Sequence, residues 1–185
     1  MVSEERIQLL ARLAQGRAAD ATPASSSILA LAAASWGSKP DADSTVPTGF
    51  DPAAVALFES IVEGAYLVAT ADGVFDEEER RTFERVVTVA CGGSVPLGHV
   101  EALVSDLSDQ LAEDGIDARL ARLAAPLTRP EHGKEILRIA ALLAQCSNDV
   151  SAPEREMLQK LATACKLEPA EVDHAIDDVK TALSA

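Results

Sequence analysis

Apolar residues recur along most of the chain at the three- and four-residue steps that place side chains on one face of an α-helix. From residue 51 onwards this spacing predicts successive helices over 52–69, 76–91, 96–114, 116–130, 131–147, 151–165 and 169–183. The helix over 131–147 carries apolar residues around most of its circumference, which favours a central, enclosed position. The pattern therefore predicts an all-α fold, a compact bundle of about seven helices.

Two shorter helices are predicted before the bundle. The first runs from Ser3 to about Gln15, and the second covers 24–36 and ends with Trp36, the single tryptophan of the chain. Residues 37–49 are rich in Gly, Pro, Ser and Asp, which is typical of a linker. We expect a short helical appendage over 1–36, a linker over 37–49 and the helical domain over 50–185. The segment over 24–36 could pack on the bundle, dock on a partner or membrane edge, or stay disordered, and the N-terminal region as a whole could supply a packing layer or a docking peptide.

The stretch over 69–79, which we name the first corner, ends one predicted helix and begins the next. It reads Ala-Thr-Ala-Asp-Gly-Val-Phe-Asp-Glu-Glu-Glu. Asp72-Gly73 closes the first helix, because glycine readily adopts the left-handed conformation that follows a helix end. Asp76 has the short acceptor side chain of an N-cap, and Glu79, three residues later, is placed to complete a capping box.

A second copy of this corner follows after about 75 residues. The shift aligns the capping-box residues Asp76 and Glu79 with Ser151 and Glu154. The second copy therefore keeps the features of a helix start, although Ser147 stands where the first corner has an aspartate. The sequence predicts two repeated helix–corner–helix units.

The motif Ala-Asp-Gly-x-x-Asp-x-x-Glu over 71–79, repeated about halfway along a helical domain, resembles the TerB-like fold of tellurite-resistance proteins. This fold is shared with the N-terminal part of DjlA-type membrane co-chaperones. The resemblance covers the chain from about residue 50 to its C-terminus. It implies a bundle of about seven helices, no established enzymatic activity, and a role in metal-oxyanion or other stress responses near the membrane.

The resemblance also implies a site for a hard cation such as Ca²⁺ or Mg²⁺ at the acidic corners. Its ligands would map onto Asp72, Asp76 and Glu79 in the first corner and Glu154 in the second. The serine at position 147 removes one carboxylate, so this chain departs from a symmetric site with equal corners.

The residues themselves leave two interpretations of the first corner. Oxygen ligands suit Ca²⁺ and Mg²⁺, and a turn that gathers carboxylates beside backbone carbonyls could begin a cation cage. The spacing differs from that of an EF-hand loop, however, in which ligands alternate around a glycine. The alternative is purely structural: the carboxylates cap helices and form a solvated acidic rim.

Composition and charge narrow the classes of partner. Hydrophobic residues make up 48% of the 185 residues but aromatic residues only 3%, so the interior must be built from Ala, Leu and Val. A net charge of −14 argues against nucleic-acid binding and against adsorption to an anionic membrane surface. We expect protein partners, membrane-associated ones included, with no nucleic acid and no direct membrane insertion. The apolar run over 28–34 is too short to span a bilayer, and no secretory signal is evident, which favours a cytoplasmic location.

Candidate catalytic chemistry is sparse. Cys91, Cys146 and Cys165 have no close pairing and are expected to be small core residues in a reducing compartment, with a reactive redox cysteine as the alternative. Glu171 and His174 form a Glu-x-x-His, but a di-iron centre needs a second copy, which the sequence lacks.

The remaining histidines, His99 and His132, are expected on the surface near helix starts. No Gly-x-Ser-x-Gly elbow or Gly-rich phosphate loop occurs. The sequence thus favours a non-enzymatic acidic module, an adaptor or divalent-cation-binding component of a stress-response or membrane-associated complex. The alternative is a purely structural helical interaction domain without an ion.

Overall fold

The computed structural model describes residues 3–16, 28–37, 51–73, 75–145 and 150–184. Every regular element in these ranges is an α-helix, so the all-α prediction is confirmed. The helices are α1 Glu4–Ala14, α2 Ile28–Gly37, α3 Pro52–Ala69, α4 Glu77–Ala90, α5 Leu97–Asp114, α6 Ile116–Ala124, α7 Pro130–Ala144, α8 Ala152–Ala164 and α9 Ala170–Ser184. Helices α3 to α9 correspond to the predicted bundle.

Helices α3 and α7 pack along each other at the centre of the bundle. Residues 139–144 of α7 are all buried, which confirms the predicted enclosure of this helix. The two helices approach closely at Gly64, where a Cβ atom would lie 2.5 Å from Cγ2 of Ile136. The glycine is therefore required by the space between the helices.

Helix α3 is the most apolar long helix of the described chain. Its 18 residues have a mean hydropathy of 1.4 and, by length and composition alone, could cross a membrane. In the bundle 61% of this helix is buried, as is usual for the core helix of a folded domain. Phe58 and Ile61 on α3 are completely enclosed.

The two N-terminal helices pack on the bundle. Ile7, Leu10 and Ala11 of α1 are buried in the same apolar core as the side chains of α4 and α7. Arg6 donates a 2.8 Å hydrogen bond to the carbonyl oxygen of Gln145, just after the C-terminal end of α7. Of the three alternatives for this region, the structure shows packing for the described helices, while residues 17–27 and 38–50 lie outside them.

The helix over 116–130 ends earlier in the structure than the sequence predicts, and a proline explains the difference. Helix α6 ends at Ala124 instead of continuing to 130. Ala125 still has helical dihedral angles, but Pro126 lacks the backbone N–H that would continue the hydrogen bonds of the helix. Leu127 then turns back against the core. The predicted helix over 131–147 begins at Pro130 and ends at Ala144, before residues 146–149, which lie outside the described ranges.

Candidate functional site

The first corner is an N-terminal helix cap with an acidic rim. Oδ1 of Asp76 accepts hydrogen bonds from the backbone N–H groups of Glu78 at 2.8 Å and Glu79 at 2.9 Å. Oε2 of Glu79 in turn accepts the N–H of Asp76 at 3.1 Å, which completes the predicted capping box. Gly73 has φ +80°, the left-handed conformation predicted for the end of α3.

An aromatic cluster supports the corner from beneath. The rings of Tyr66, Phe75 and Phe83 meet edge to face in all three pairs, with centroids 5.6 to 6.4 Å apart. Phe75 directly precedes the N-cap of α4, and Tyr66 lies in the last turn of α3. This cluster fixes the angle at which the chain turns from α3 into α4.

The second corner is described from Val150 onwards. Oε2 of Glu154 accepts the N–H of Ser151 at 2.7 Å, and Oγ of Ser151 accepts the N–H of Glu154 at 3.4 Å. Both copies of the repeat thus begin their second helix with a capping box. Cys146 and Ser147 lie outside the described residues.

Of the four carboxylates proposed as cation ligands, Asp76, Glu79 and Glu154 take part in capping boxes. Asp76 and Glu79 cap α4, which packs on α1 and α5. Glu154 is buried at the start of α8, which packs on α3, α6, α7 and α9, while Asp72 is exposed before α4. Among the described residues, no group of three or more His, Cys, Asp or Glu side chains is arranged to hold a metal ion.

The two described cysteines have raised pKa values. Burial raises the pKa of Cys91 to about 12 and that of Cys165 to about 11. A thiol with a raised pKa carries little of the thiolate that acts as a nucleophile. Cys91 is buried and Cys165 half-buried, in keeping with the predicted packing role for these two residues.

The histidines divide between surface and core. His99 is exposed, as predicted, and so is His174. Glu171, the partner of His174 in the Glu-x-x-His pattern, pairs instead with Lys134 at 2.6 Å. The surface prediction for His132 is wrong: this side chain is buried, because it lies one helical turn before Ile136 on the inward face of α7. Burial, with the nearby charge of Arg129, lowers the pKa of His132.

A buried ionic cluster joins three helices and was not found from the sequence. Nε of Arg119 on α6 lies 2.6 Å from Oε1 of Glu63 on α3, and both side chains are 8% exposed. Asp114 at the end of α5 accepts from Arg119 at 3.1 Å and contacts Arg122 at 3.0 Å. Burial raises the pKa of Glu63, although the hydrogen bond from Arg119 acts in the opposite direction. The sequence signal was Glu63, one of two glutamates in an otherwise largely apolar helix.

Helix α5 presents the most uniformly acidic face of the described surface. Its sequence from Leu97 to Asp114 contains five acidic residues and no Lys or Arg. Four of the five are exposed: Glu101, Asp106, Asp109 and Glu113. We name these four residues the α5 acidic face. The last three follow each other at steps of three and four residues, so they share one side of the helix.

An open groove of about 850 Å³ runs between α6 and α8. Its floor is apolar, with Leu120, Ala124 and Leu127, and its rim carries both signs of charge, with Asp117, Glu156, Lys160 and Lys166. Because the rim carries both signs of charge, it does not favour acidic partners over basic ones.

Comparison of the chain with protein-family models, with curated proteins and with solved structures finds no significant match.

Proposed function

We propose that this chain is a non-enzymatic helical adaptor, an acidic module of the TerB-like kind, that binds a basic protein partner through the α5 acidic face. The observation that carries the proposal is the row formed by Asp106, Asp109 and Glu113, all exposed on a helix without a basic residue. Such a row attracts Lys and Arg side chains of a partner and repels acidic surfaces and nucleic acid.

The described basic residues of α4 and α6 form their ion pairs with acids outside this row. Glu101, the remaining member of the α5 acidic face, does interact with a cation, because its charge adds to the hydrogen bond with Glu84 in raising the pKa of Arg80. On α4, Arg80 pairs with Glu84 at 2.8 Å and Arg81 with Glu77 at 2.9 Å. On α6, Arg122 pairs with Asp114, on the less exposed side of α5. Three like charges along one helix face disfavour the free protein slightly, and an opposing row of cations would relieve that repulsion.

The proposal assigns no resident cation. Asp76, Glu79 and Glu154 use their carboxylate oxygens as helix caps, which supports the structural interpretation of the corners. A role in tellurite or other stress responses, and in membrane-associated complexes of the cytoplasm, rests on the resemblance of the first corner to the TerB-like motif. An adaptor that binds basic segments would suit either setting.

The test is the affinity of the full chain for a helical peptide of alternating lysine and alanine blocks. The variant Asp106→Lys/Asp109→Lys reverses two charges of the α5 acidic face, and the control Asp177→Lys/Asp178→Lys makes the same change on exposed residues of α9. We expect the α5 variant to lose about tenfold in affinity or more and the α9 variant much less. Equal losses in both variants would mean that net charge alone attracts the peptide, and the proposal would be wrong.

A further inference from the structure

The open groove between α6 and α8 continues beyond the start of α6. A second hollow, of about 540 Å³, is lined by Leu111, Gly115, Ile116, Asp117 and Lys160. Asp117 and Lys160 line both hollows, so the two form one continuous surface, which we name the α6–α8 groove. At this end Ile116 is 38% exposed, one of three large apolar side chains that are exposed in the described chain. An exposed apolar surface with a charged rim is typical of a site of interaction.

Two charges on the rim of the α6–α8 groove have no partner among the described residues. Glu156 and Lys160 pair with each other at 3.0 Å, so their charges cancel. Asp117 and Lys166 form no ion pair within the described ranges. Asp117 lies where the two hollows meet, with Lys160, and Lys166 follows Lys160 by six residues, or ~9 Å along the direction of α8. The rim therefore has a negative end at Asp117 and a positive end at Lys166.

Lys166 occupies a backbone position that favours glycine. Its φ is +58°, and it is the only residue other than glycine with a positive φ in the described chain. At this end of α8 the N–H of Leu167 donates to the carbonyl oxygen of Ala162 at 2.9 Å, and that of Lys166 donates to Thr163 at 3.0 Å. Glycine would make the same hydrogen bonds without the steric cost of a Cβ atom in the left-handed conformation. What the lysine adds at this position is a positive charge at the end of the groove.

We propose that the α6–α8 groove binds an amphipathic helix of a protein partner, with a basic side chain of that helix at Asp117 and an acidic one at Lys166. The apolar face of the helix would cover the floor formed by Leu120, Ala124 and Leu127. Because the groove is open, the outer side of its occupant stays in water, which suits an element that is apolar on one side and polar on the other. The acyl chain of a lipid would leave apolar surface in water at the same place.

The walls of the groove set the size and composition of the bound helix. Helix α6 has nine residues and is therefore ~13 Å long, so a partner helix of about three turns covers it. Ala121 and Ala125 lie along this wall, and their short side chains leave room for large apolar side chains such as leucine on the partner. The site is independent of the α5 acidic face and goes beyond the proposed function by adding a second contact surface.

The probe is a synthetic helical peptide of about 12 residues with leucines on one face, a lysine at one end of that face and a glutamate at the other. A second peptide is identical except that glutamine replaces both charged residues. We expect the full chain to bind the charged peptide about fivefold more tightly than the second one, as two exposed ion pairs would give. In the variant Asp117→Asn/Lys166→Gln the two peptides should bind equally, because neither pair can form.

Two variants of α6 test the apolar contact. Ala121→Glu puts a carboxylate on the wall of the groove, and Ala118→Glu makes the same change at an exposed residue of α6 outside it. We expect Ala121→Glu to bind both peptides about tenfold more weakly or less, because a bound helix would bury the new charge. Ala118→Glu should bind them as the natural chain does. Both residues are exposed, so both variants should keep the fold, which circular dichroism checks.

The variant Lys166→Gly separates stability from binding. Glycine removes the steric cost of the left-handed backbone and should raise the melting temperature by about 2–4 °C. Loss of the ammonium group should at the same time reduce the preference for the charged peptide by about twofold. The control Arg12→Gln removes an exposed positive charge from α1, which packs on α4 and α7, and should leave both quantities unchanged.

Several results would overturn the proposal. One is equal binding of the two peptides by the natural chain, and another is undiminished binding by Ala121→Glu. Binding of decanoate that requires Lys166, without binding of either peptide, would assign the groove to a fatty acid. A dimer of the natural chain that Ala121→Glu dissociates would assign it to a second copy of the chain. The charged peptide has no net charge from its side chains, so Asp106→Lys/Asp109→Lys should bind it normally, and failure of the α5 acidic face would be seen separately.

Discussion

The guanidinium of Arg138 on α7 donates a 2.9 Å hydrogen bond to the carbonyl oxygen of Ala14, the last residue of α1. It donates a second bond, of 2.8 Å, to the carbonyl oxygen of Leu13. These carbonyls belong to the last turn of α1, where the carbonyl oxygen of Leu13 also accepts the backbone N–H of Gly16 at 3.0 Å. Arg138 is held in place by Glu135, one turn earlier on α7, which also accepts the N–H of Leu29 on α2. One ion pair on α7 therefore complements the negative end of α1 and the positive end of α2.

Replacing Arg138 with leucine should lower the free energy of unfolding by about 2 kcal/mol. The C-terminal end of α1 would lose two hydrogen-bond donors, and the buried carboxylate of Glu135 would lose the guanidinium with which it pairs. The free energy of unfolding of Arg138→Lys should lie between those of the natural chain and of Arg138→Leu, since an ammonium group cannot make the same fork of hydrogen bonds. Urea unfolding measures both. The control is Arg81→Leu, which removes an exposed pair with Glu77 and should cost about 0.5 kcal/mol or less. Equal losses at the two positions would contradict the role given to Arg138.

Gly64→Ala should destabilise the protein by about 1–3 kcal/mol, because the new Cβ would lie 2.5 Å from Cγ2 of the enclosed Ile136. The control is Gly98→Ala on α5, where nothing lies within 4 Å and stability should be unchanged or slightly higher. Adding Ile136→Ala to Gly64→Ala should cost less than the sum of the two single changes, since the clashing methyl group is then absent. Strict additivity in thermal or urea unfolding would show that α3 and α7 are not in this close contact.

Millimolar Ca²⁺ or Mg²⁺ should leave the melting temperature at the value found in sodium chloride of equal ionic strength. Asp76 and Glu79 serve as caps, and the described residues contain no group of three or more carboxylate, imidazole or thiol side chains arranged for a metal. The comparison includes Asp72→Asn, which removes the exposed carboxylate of the first corner. A rise in melting temperature that this substitution abolishes would instead establish a cation site there.

The stability of the protein should depend on pH through Glu63. Its pKa is raised by burial, so the folded chain holds a proton at pH values where the unfolded chain has released it. The contribution of Glu63 to stability is present below the unfolded value of about 4.3 and is lost as pH rises through the raised folded value. Unfolding of the natural chain and of Glu63→Gln across this range isolates the effect. We expect the natural chain to lose stability relative to Glu63→Gln as pH rises, and a flat or opposite difference would contradict the pKa direction.

Local rules predicted the parts of the fold that depend on neighbours in sequence. The capping boxes at Asp76 and Ser151 follow from side chains three residues apart, and the apolar period follows from the geometry of the helix. The enclosure of α7 could be predicted because its own sequence places apolar residues around most of its circumference.

Features that depend on residues far apart in the chain could not be predicted from the sequence. Glu63 and Arg119 are 56 positions apart, and neither has a local signal that identifies the other. The burial of His132 depends on which face of α7 meets the core. The packing of α1 buries apolar side chains against α4 and α7 and adds hydrogen bonds from Arg138, 124 positions after Ala14, and no local pattern identifies these partners.

The α5 acidic face was only partly predictable. The sequence located the acidic excess on the helical domain and the apolar stripe on α5. It could not show that the basic residues Arg80 and Arg81 of α4 have acidic partners on their own helix. Without these ion pairs, Arg80 and Arg81 could have lain beside the acidic residues of α5 and made that surface one of mixed charge.

The adaptor proposal is tested most directly by amide chemical-shift mapping of the isotope-labelled full chain with the lysine–alanine helical peptide. The account predicts that the largest shifts fall on residues 101–113 of α5 and that added salt removes them together. Shifts spread evenly over the acidic residues of α9 and the first corner, or absent from α5, would contradict it.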